Sequence, residues 1–280
     1  NGMGGLTVPA VLGKLIPLEI VPLYFELDGS FPNHEANPLD AKNLVDLQQK
    51  VLEVGADLGL AFDGDADRCF AIDEKGQAVT PSALAAIVSK REIQRVQDLG
   101  EQHPTVLHNL LTSRFVAETI SASGANPVRT KVGHSLIKDK MAETEAVFGG
   151  EHSAHYYFRE FWGADNGMLA AMHLISELGN STLSMSEISA SYTPYFASGE
   201  INSKVTDATA ATKRVELALE EAASENFDGI TLSFEKGGVW WWCNIRESNT
   251  EPLLRLNVES NSLEIMESVT ARALAAIAGS

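Results

Sequence analysis

Between Ser82 and Leu178, short apolar runs alternate with amphipathic helical stretches, and this alternation limits the fold more than any other feature. Residues 82–96 repeat their apolar positions with helical spacing. Residues 105–107 read as a strand, 114–122 as a helix and 128–130 as a strand. A helix is expected after Gly133, a strand over 146–149, and a strongly amphipathic helix over 166–178. Strands linked by helices pair in parallel, so this order predicts a mostly parallel α/β sheet.

The flanking blocks differ. Near the start, Leu18, Ile20 and residues 24–27 are strand-like, and 28–40 is a loop rich in Pro, Gly, Asn and Asp. Asp40 can cap a helix to residue 54, with Leu44, Leu47 and Val51 on one face. Leu58, Leu60 and Phe62 alternate as a strand, and 69–72 is a second, closed by a Glu74-Lys75-Gly76 turn. Toward the other end, strands are expected near 199–205, 230–234, 239–246 and 253–258. Helices are expected over 213–223 and 263–277. The hairpin signal at Gly237-Gly238 makes this an α+β block with an antiparallel sheet. The expected division is 1–78, 79–188 and 189–280. At about 150 residues per domain, the length alone would give two domains, with room for three small ones. The chain opens Asn1-Gly2-Met3-Gly4-Gly5, without an initiator Met or a helix start, like a turn cut from a preceding strand. A fragment is therefore expected.

Charge narrows the function. Asp and Glu number 38 against 21 Lys and Arg, a net charge of −17. Such a chain is poorly suited to gripping nucleic acid or an anionic membrane surface. It can still bind an anionic small molecule where its few cations converge. No apolar run approaches the roughly 18 residues of a membrane span, and no secretory signal opens the chain. Cys69 and Cys243 lie far apart and outside any metal-ligand spacing, so they read as reduced core residues of a cytoplasmic protein.

Four segments carry chemistry. Asp63-Gly64-Asp65-Ala66-Asp67-Arg68 follows a strand and sets Asp63, Asp65 and Asp67 at alternating positions, with Gly64 as the turn residue. Three hard carboxylate ligands suit Mg²⁺, Mn²⁺ or Ca²⁺ rather than zinc. An EF-hand is the rival: Glu74 falls at its twelfth position, but Arg68 stands where that loop needs Gly. Arg246-Glu247-Ser248-Asn249-Thr250-Glu251-Pro252-Leu253-Leu254-Arg255 brings two guanidinium forks to a hydroxyl-rich loop, a pattern suited to a phosphate dianion. Gly150-Glu151-His152-Ser153-Ala154-His155 frees a carboxylate, a hydroxyl and two imidazoles for sugar hydroxyls and proton transfer. Gly133-His134-Ser135-Leu136-Ile137-Lys138 starts a helix with His134 and Lys138 on one face, where an anion is favoured. In Trp240-Trp241-Trp242, only Trp241 is expected to face the core.

In their order and spacing along the chain, the four segments resemble the α-D-phosphohexomutase superfamily, and most closely its bacterial phosphomannomutase branch. Asp63 to Arg68 matches the metal loop D-G-D-x-D-R. Gly150, Glu151, Ser153 and His155 match the sugar loop G-E-x-S-x-H. Arg246 and Ser248 to Pro252 match the phosphate loop R-x-S-N-T-E-P, and Val132-Gly133-His134-Ser135 resembles the V-G-H/Y-S segment.

The resemblance implies two phosphohexomutase-type α/β domains, the family's second and third, followed by a C-terminal α+β domain like the TATA-binding protein. It implies reversible interconversion of mannose 6-phosphate and mannose 1-phosphate through a phosphoserine enzyme and a hexose 1,6-bisphosphate, which also serves as activator. This is an intramolecular phosphotransferase of the isomerase class. One Mg²⁺ would sit on Asp63, Asp65 and Asp67, with Arg68 adding positive charge. Arg246, Ser248, Asn249, Thr250 and Arg255 would hold the non-reacting phosphate. Glu151 and Ser153 would read the sugar, Lys138 would bind substrate, and His134 and His155 are the acid/base candidates.

The family's phosphoserine segment, T-A-S-H-N-P, has no match in these 280 residues. The expected partner is thus an N-terminal domain of the same polypeptide, without which the chain would bind but not turn over. A lysine that many relatives carry is also not found around Leu110–Arg114. The alternatives are a phosphoglucomutase or dual-specificity mutase, a non-catalytic sugar-phosphate binder, and a calcium module built on the Asp63 loop.

Overall fold

Gly4 starts a helix where a turn was expected. The structure is a computed structural model that describes residues 1–14, 17–248 and 253–279. Helix α1 (Gly4–Val11) forms despite two glycines and an internal Pro9, because Val8 and Leu12 bury against Met168. Tertiary burial overrides weak local propensity here. The strand-like segment 18–27 is not a strand; Pro22 interrupts its alternation, and Tyr24 takes a left-handed φ of 56°. Asp40 does cap, accepting from Lys42 N–H, first into a 3-10 turn (Ala41–Leu44) and then into α2 (Val45–Val54), which Gly55 ends at φ 66°.

The molecule divides into two units, Asn1–Thr193 and Pro194–Ser280. In the first, β1 (Leu58–Phe62), β2 (Cys69–Asp73) and β3 (Ala78–Val79) form an antiparallel sheet in that order. Thr80 caps α3 (Pro81–Asp98), whose residues 83–88 are all buried. Next come β4 (Thr105–Asn109), α4 (Arg114–Ala122), β5 (Asn126–Thr130), α5 (His134–Thr144) and β6 (Phe148–Gly150). They are followed by β7 (Tyr156–Phe158), β8 (Ala164–Asp165), α6 (Gly167–Gly179) and α7 (Met185–Ser191).

The second sheet runs β5-β4-β6-β7-β8. Strand β4 is parallel to β5 and β6, as the crossover helices require. Strands β7 and β8 return without an α-helical crossover, joined only by a 3-10 turn (Arg159–Phe161), and are antiparallel. Ile72 of β2, Leu84 and Ile87 of α3, Phe148 of β6, Tyr156 of β7 and Leu174 of α6 share one core. The first two expected blocks are therefore welded by common burial.

The second unit holds β9 (Phe196–Ala197), β10 (Ile201–Lys204), α8 (Ala208–Ala218), β11 (Ala223–Asn226), β12 (Ile230–Lys236), β13 (Val239–Glu247), β14 (Leu253–Ser260) and α9 (Leu263–Ala278). Its sheet is antiparallel, in the order β10-β14-β13-β12-β11, with β9 also on β14. Helix α8 begins five residues before the expected 213, because the Asp207 side chain accepts from Ala210 N–H and fixes the start. Trp241, Cys243 and Ile245 face the core as alternation requires. Trp240 is buried too, against expectation, with its ring edge-on to Tyr195 at 4.6 Å. Among the described residues, no helix is long and apolar enough to cross a membrane.

Candidate functional site

Strands β1 and β2 form an antiparallel hairpin closed by the Phe62–Cys69 pair, and the loop 63–68 between them carries three carboxylates. One oxygen each from Asp63, Asp65 and Asp67 lies within 4.8 Å of the others. Arg68 folds back to hold the loop: its Nε donates to Asp63 Oδ2 at 2.7 Å and its backbone N–H to Asp63 Oδ1 at 3.1 Å. Ala66, rather than Gly64, supplies the left-handed residue, at φ 64°. Gly167, which opens α6, packs so tightly on this loop that a Cβ there would lie 2.5 Å from the Arg68 carbonyl oxygen.

A second loop is drawn against the first by an isolated antiparallel bridge between Arg68 and His155. His155 Nδ1 stands 3.8 Å from Asp67 Oδ1 and 2.8 Å from Asp165 Oδ2. Asp165, 5% exposed at its side chain, also takes His134 Nδ1 at 3.2 Å on Oδ2 and Lys138 Nζ at 3.1 Å on Oδ1. His134 and Lys138 thus do share one face of α5, as their spacing requires. Glu151 is buried; its Oε2 accepts from Tyr157 Oη at 2.8 Å, and its Oε1 lies 3.4 Å from Asn109 Nδ2. Ser153 sits half-buried in the same turn.

Electrostatics mark where a cation belongs. Burial, and next to it the Asp63 charge, push the Asp67 carboxyl up to about 6. Its Oδ1 is buried without a hydrogen-bond partner. A loop of three hard oxygens with one orphaned acceptor fits Mg²⁺ or a similar ion. It does not fit the EF-hand, because Glu74 accepts instead from Ser186 N–H at 2.9 Å and Ser186 Oγ at 2.6 Å, and the flanks are strands. Burial opposes the charge on Asp165, yet hydrogen bonds from His155 and Lys138 hold it well below the ordinary carboxylate range. Burial also opposes a charged His155, but the bond to Asp165 and the charge of Asp67 outweigh it and raise its pKa.

In the second unit, Arg246 and Arg255 are direct cross-strand partners in β13 and β14. Both meet Glu200, at 3.3 Å from Arg246 Nη2 and 3.1 Å from Arg255 Nη1. Arg255 Nη2 also donates to Ser248 Oγ at 3.2 Å. The Nε atom of each arginine is buried without a partner. Asn249 and Thr250 of the expected phosphate loop lie outside the described residues.

Three participants went unnoticed in the sequence: Asp165, Tyr157 and Glu200. Asp165 had a usable signal, a carboxylate at a strand end just before the Asn166 cap of α6. Glu200 had none, since only the β10–β14 register brings it to the arginines.

Comparison with known proteins gives a consistent picture. Residues 1–76, 80–195 and 200–276 match the family models described as phosphoglucomutase/phosphomannomutase alpha/beta/alpha domain II, alpha/beta/alpha domain III and C-terminal domain. A phosphomannomutase of Salmonella typhimurium is 37% identical over 98% of this chain and 60% of its own length. One from Vibrio cholerae is 41% identical over 93% of this chain and 56% of its own length. A crystal structure of a phosphoglucomutase/phosphomannomutase family protein from Burkholderia thailandensis superposes with a TM-score of 0.84 at 25% identity, covering 99% of this chain and 58% of that one. The chain therefore spans about three-fifths of the length of the curated relatives it matches.

Proposed function

The chain belongs to the phosphoglucomutase/phosphomannomutase family, and on that premise we propose that it serves the reversible interconversion of mannose 6-phosphate and mannose 1-phosphate. The observation that carries this reading is the Arg68–His155 bridge, which sets a carboxylate cation loop beside a loop of sugar-reading polar groups. A division into domains at 1–78, 79–188 and 189–280 belongs to the same reading and is supported by the limits of the three family matches. So does a cytoplasmic setting, supported by two buried, unbridged cysteines.

Asp63, Asp65 and Asp67 would hold one Mg²⁺, which supplies charge neutralisation to a phosphoryl group in transfer. Arg68 adds a fixed positive charge at the same loop. Glu151 accepts from sugar hydroxyls and Ser153 contributes a hydroxyl of either polarity. Lys138, held by Asp165, offers an ammonium to the anionic substrate. His155 carries the proton: it is the histidine beside Asp67, and Asp165 keeps its Nδ1 hydrogen in place so that Nε2 is the exchanging atom. Arg246, Arg255 and Ser248 grip a phosphate, with Asn249 and Thr250 assigned to the same task. A hexose 1,6-bisphosphate carries the same group at both ends, so either end could meet the Arg246–Arg255 pair.

Calorimetric titration with mannose 6-phosphate and mannose 1-phosphate, in the presence of Mg²⁺, tests this. Both are expected to bind more tightly than inorganic phosphate. Equal affinity for the glucose phosphates would make the site dual-specific, and failure of every hexose phosphate to outbind inorganic phosphate would defeat the reading.

A further inference from the structure

Tyr157 sits in the middle of a three-residue strand and reads as core. Its ring is indeed fully buried. Its hydroxyl, however, stands among the polar groups of the site. It donates to Glu151 Oε2 at 2.8 Å and lies 3.2 Å from His134 Nδ1. The rings of His134 and His155 pack beside the Tyr157 ring, with centroid separations of 5.7 and 6.2 Å.

A phenol has one hydrogen to give. With that hydrogen committed to Glu151, the oxygen can meet His134 only as an acceptor. His134 Nδ1 must then carry the hydrogen. Asp165 Oδ2, 3.2 Å from the same nitrogen, imposes the same choice. A neutral His134 is left with a lone pair on Nε2, on a side chain that is 47% exposed. The hydrogen bond to Oε2 is also the short one at Glu151. The contacts to Oε1, from Asn109 Nδ2 and the Gly133 N–H, measure 3.4 and 3.5 Å. Burial, and then the Glu151 charge, push the Tyr157 phenol well above its ordinary pKa, so the hydroxyl keeps its hydrogen.

We propose that Tyr157 is a positioning residue of the hexose-phosphate site, fixing the Glu151 carboxylate and the His134 tautomer through one hydroxyl. The sugar then meets a pre-set pair of acceptors, Glu151 and His134 Nε2, rather than groups that must reorient on binding. The ligand in this proposal rests on the hexose-phosphate reading above; the tautomer does not.

Two measurements decide it. In long-range ¹H–¹⁵N spectra of ¹⁵N-histidine protein, with the signal assigned by its loss in His134→Gln, neutral His134 is expected to be protonated on Nδ1. Tyr157→Phe keeps the ring and removes only the hydroxyl. It is expected to melt cooperatively, to shift the His134 Nδ1 resonance, and to weaken mannose 6-phosphate binding about tenfold, the scale of one hydrogen bond to a charged group. Its affinity for inorganic phosphate should not change. An Nε2-protonated His134 in the parent protein, or a Tyr157→Phe protein that binds mannose 6-phosphate as the parent does, overturns the proposal. If the parent binds no mannose 6-phosphate, the hexose-phosphate reading fails, and the tautomer alone then decides the role of Tyr157.

Discussion

Arg246 and Arg255 face each other directly across β13 and β14, and the carboxylate of Glu200 joins their guanidinium groups. Two guanidinium groups side by side repel, so the carboxylate keeps the pair together while no other anion is bound. An incoming phosphate must compete with it for the same donors. Glu200→Gln is therefore expected to tighten inorganic phosphate binding by about two- to fivefold, the scale of a partly exposed charge pair. The gain should shrink as salt is raised. Titration calorimetry at two salt concentrations reads this, and weaker binding by the variant would make Glu200 a scaffold instead of a competitor.

The partner experiment removes a fork. Arg246 is nearly buried, with its side chain 12% exposed, and its Nε has no partner. Arg246→Ala should weaken phosphate binding about 10- to 100-fold, as expected for losing charge-assisted hydrogen bonds. The sheet should survive, because the core of this unit is built on the opposite face by Trp241, Cys243 and Ile245. Circular dichroism establishes the fold, and unchanged phosphate affinity would take Arg246 out of the site.

At the cation loop, Asp65 is the informative position because it is exposed. Asp63 is tied to Arg68 and Asp67 lies beside His155, so changing either disturbs more than a ligand. Asp65→Asn keeps the shape of the side chain and removes one charge. Mg²⁺ affinity should fall about tenfold or more, since carboxylate charge dominates the binding of such hard ions. Thermal stability without Mg²⁺ should stay equal or rise slightly, because Asp65 contributes to the repulsion at Asp67. Melting curves with and without Mg²⁺ measure both, and equal Mg²⁺ stabilisation of parent and variant would exclude Asp65 as a ligand.

How much of this could be read from the sequence follows from range. Asp63, Asp65, Asp67 and Arg68 lie within six residues, and local geometry alone clusters them. His134 and Lys138 share a face because a helix repeats every few residues. The Asp165 hub, the Glu200 clamp and the Tyr157 hydroxyl depend on sheet register and on the Arg68–His155 bridge, which no local pattern encodes. The same limit explains the misread start. Gly4 and Gly5 argue against a helix locally, and only burial of Val8 and Leu12 against Met168 reverses that. Residues 18–27 failed the other way: apolar side chains suggested a strand, but the segment pairs with no strand among the described residues.

Away from the site, Glu92 provides the pH test. Its carboxylate is 5% exposed, and it accepts from Arg95 Nε at 2.9 Å and Nη2 at 2.8 Å and meets His173 Nε2 at 3.3 Å. Burial opposes its charge, but the hydrogen bonds from His173 and Arg95 win and bring its pKa down to about 2 from the usual 4.5. A carboxylate with a lowered folded-state pKa contributes stability that is fully present above the unfolded value. That contribution drains away as the pH falls from about 4.5 toward 2. Glu92→Gln should therefore cost stability at pH 7, on the order of 1–3 kcal/mol for a buried group losing charge-assisted partners. The deficit should narrow as the parent is acidified through that window. Urea unfolding at pH 7 and pH 3.5 gives the comparison, and a gap between parent and variant that stays constant with pH would show that Glu92 contributes through packing instead of charge.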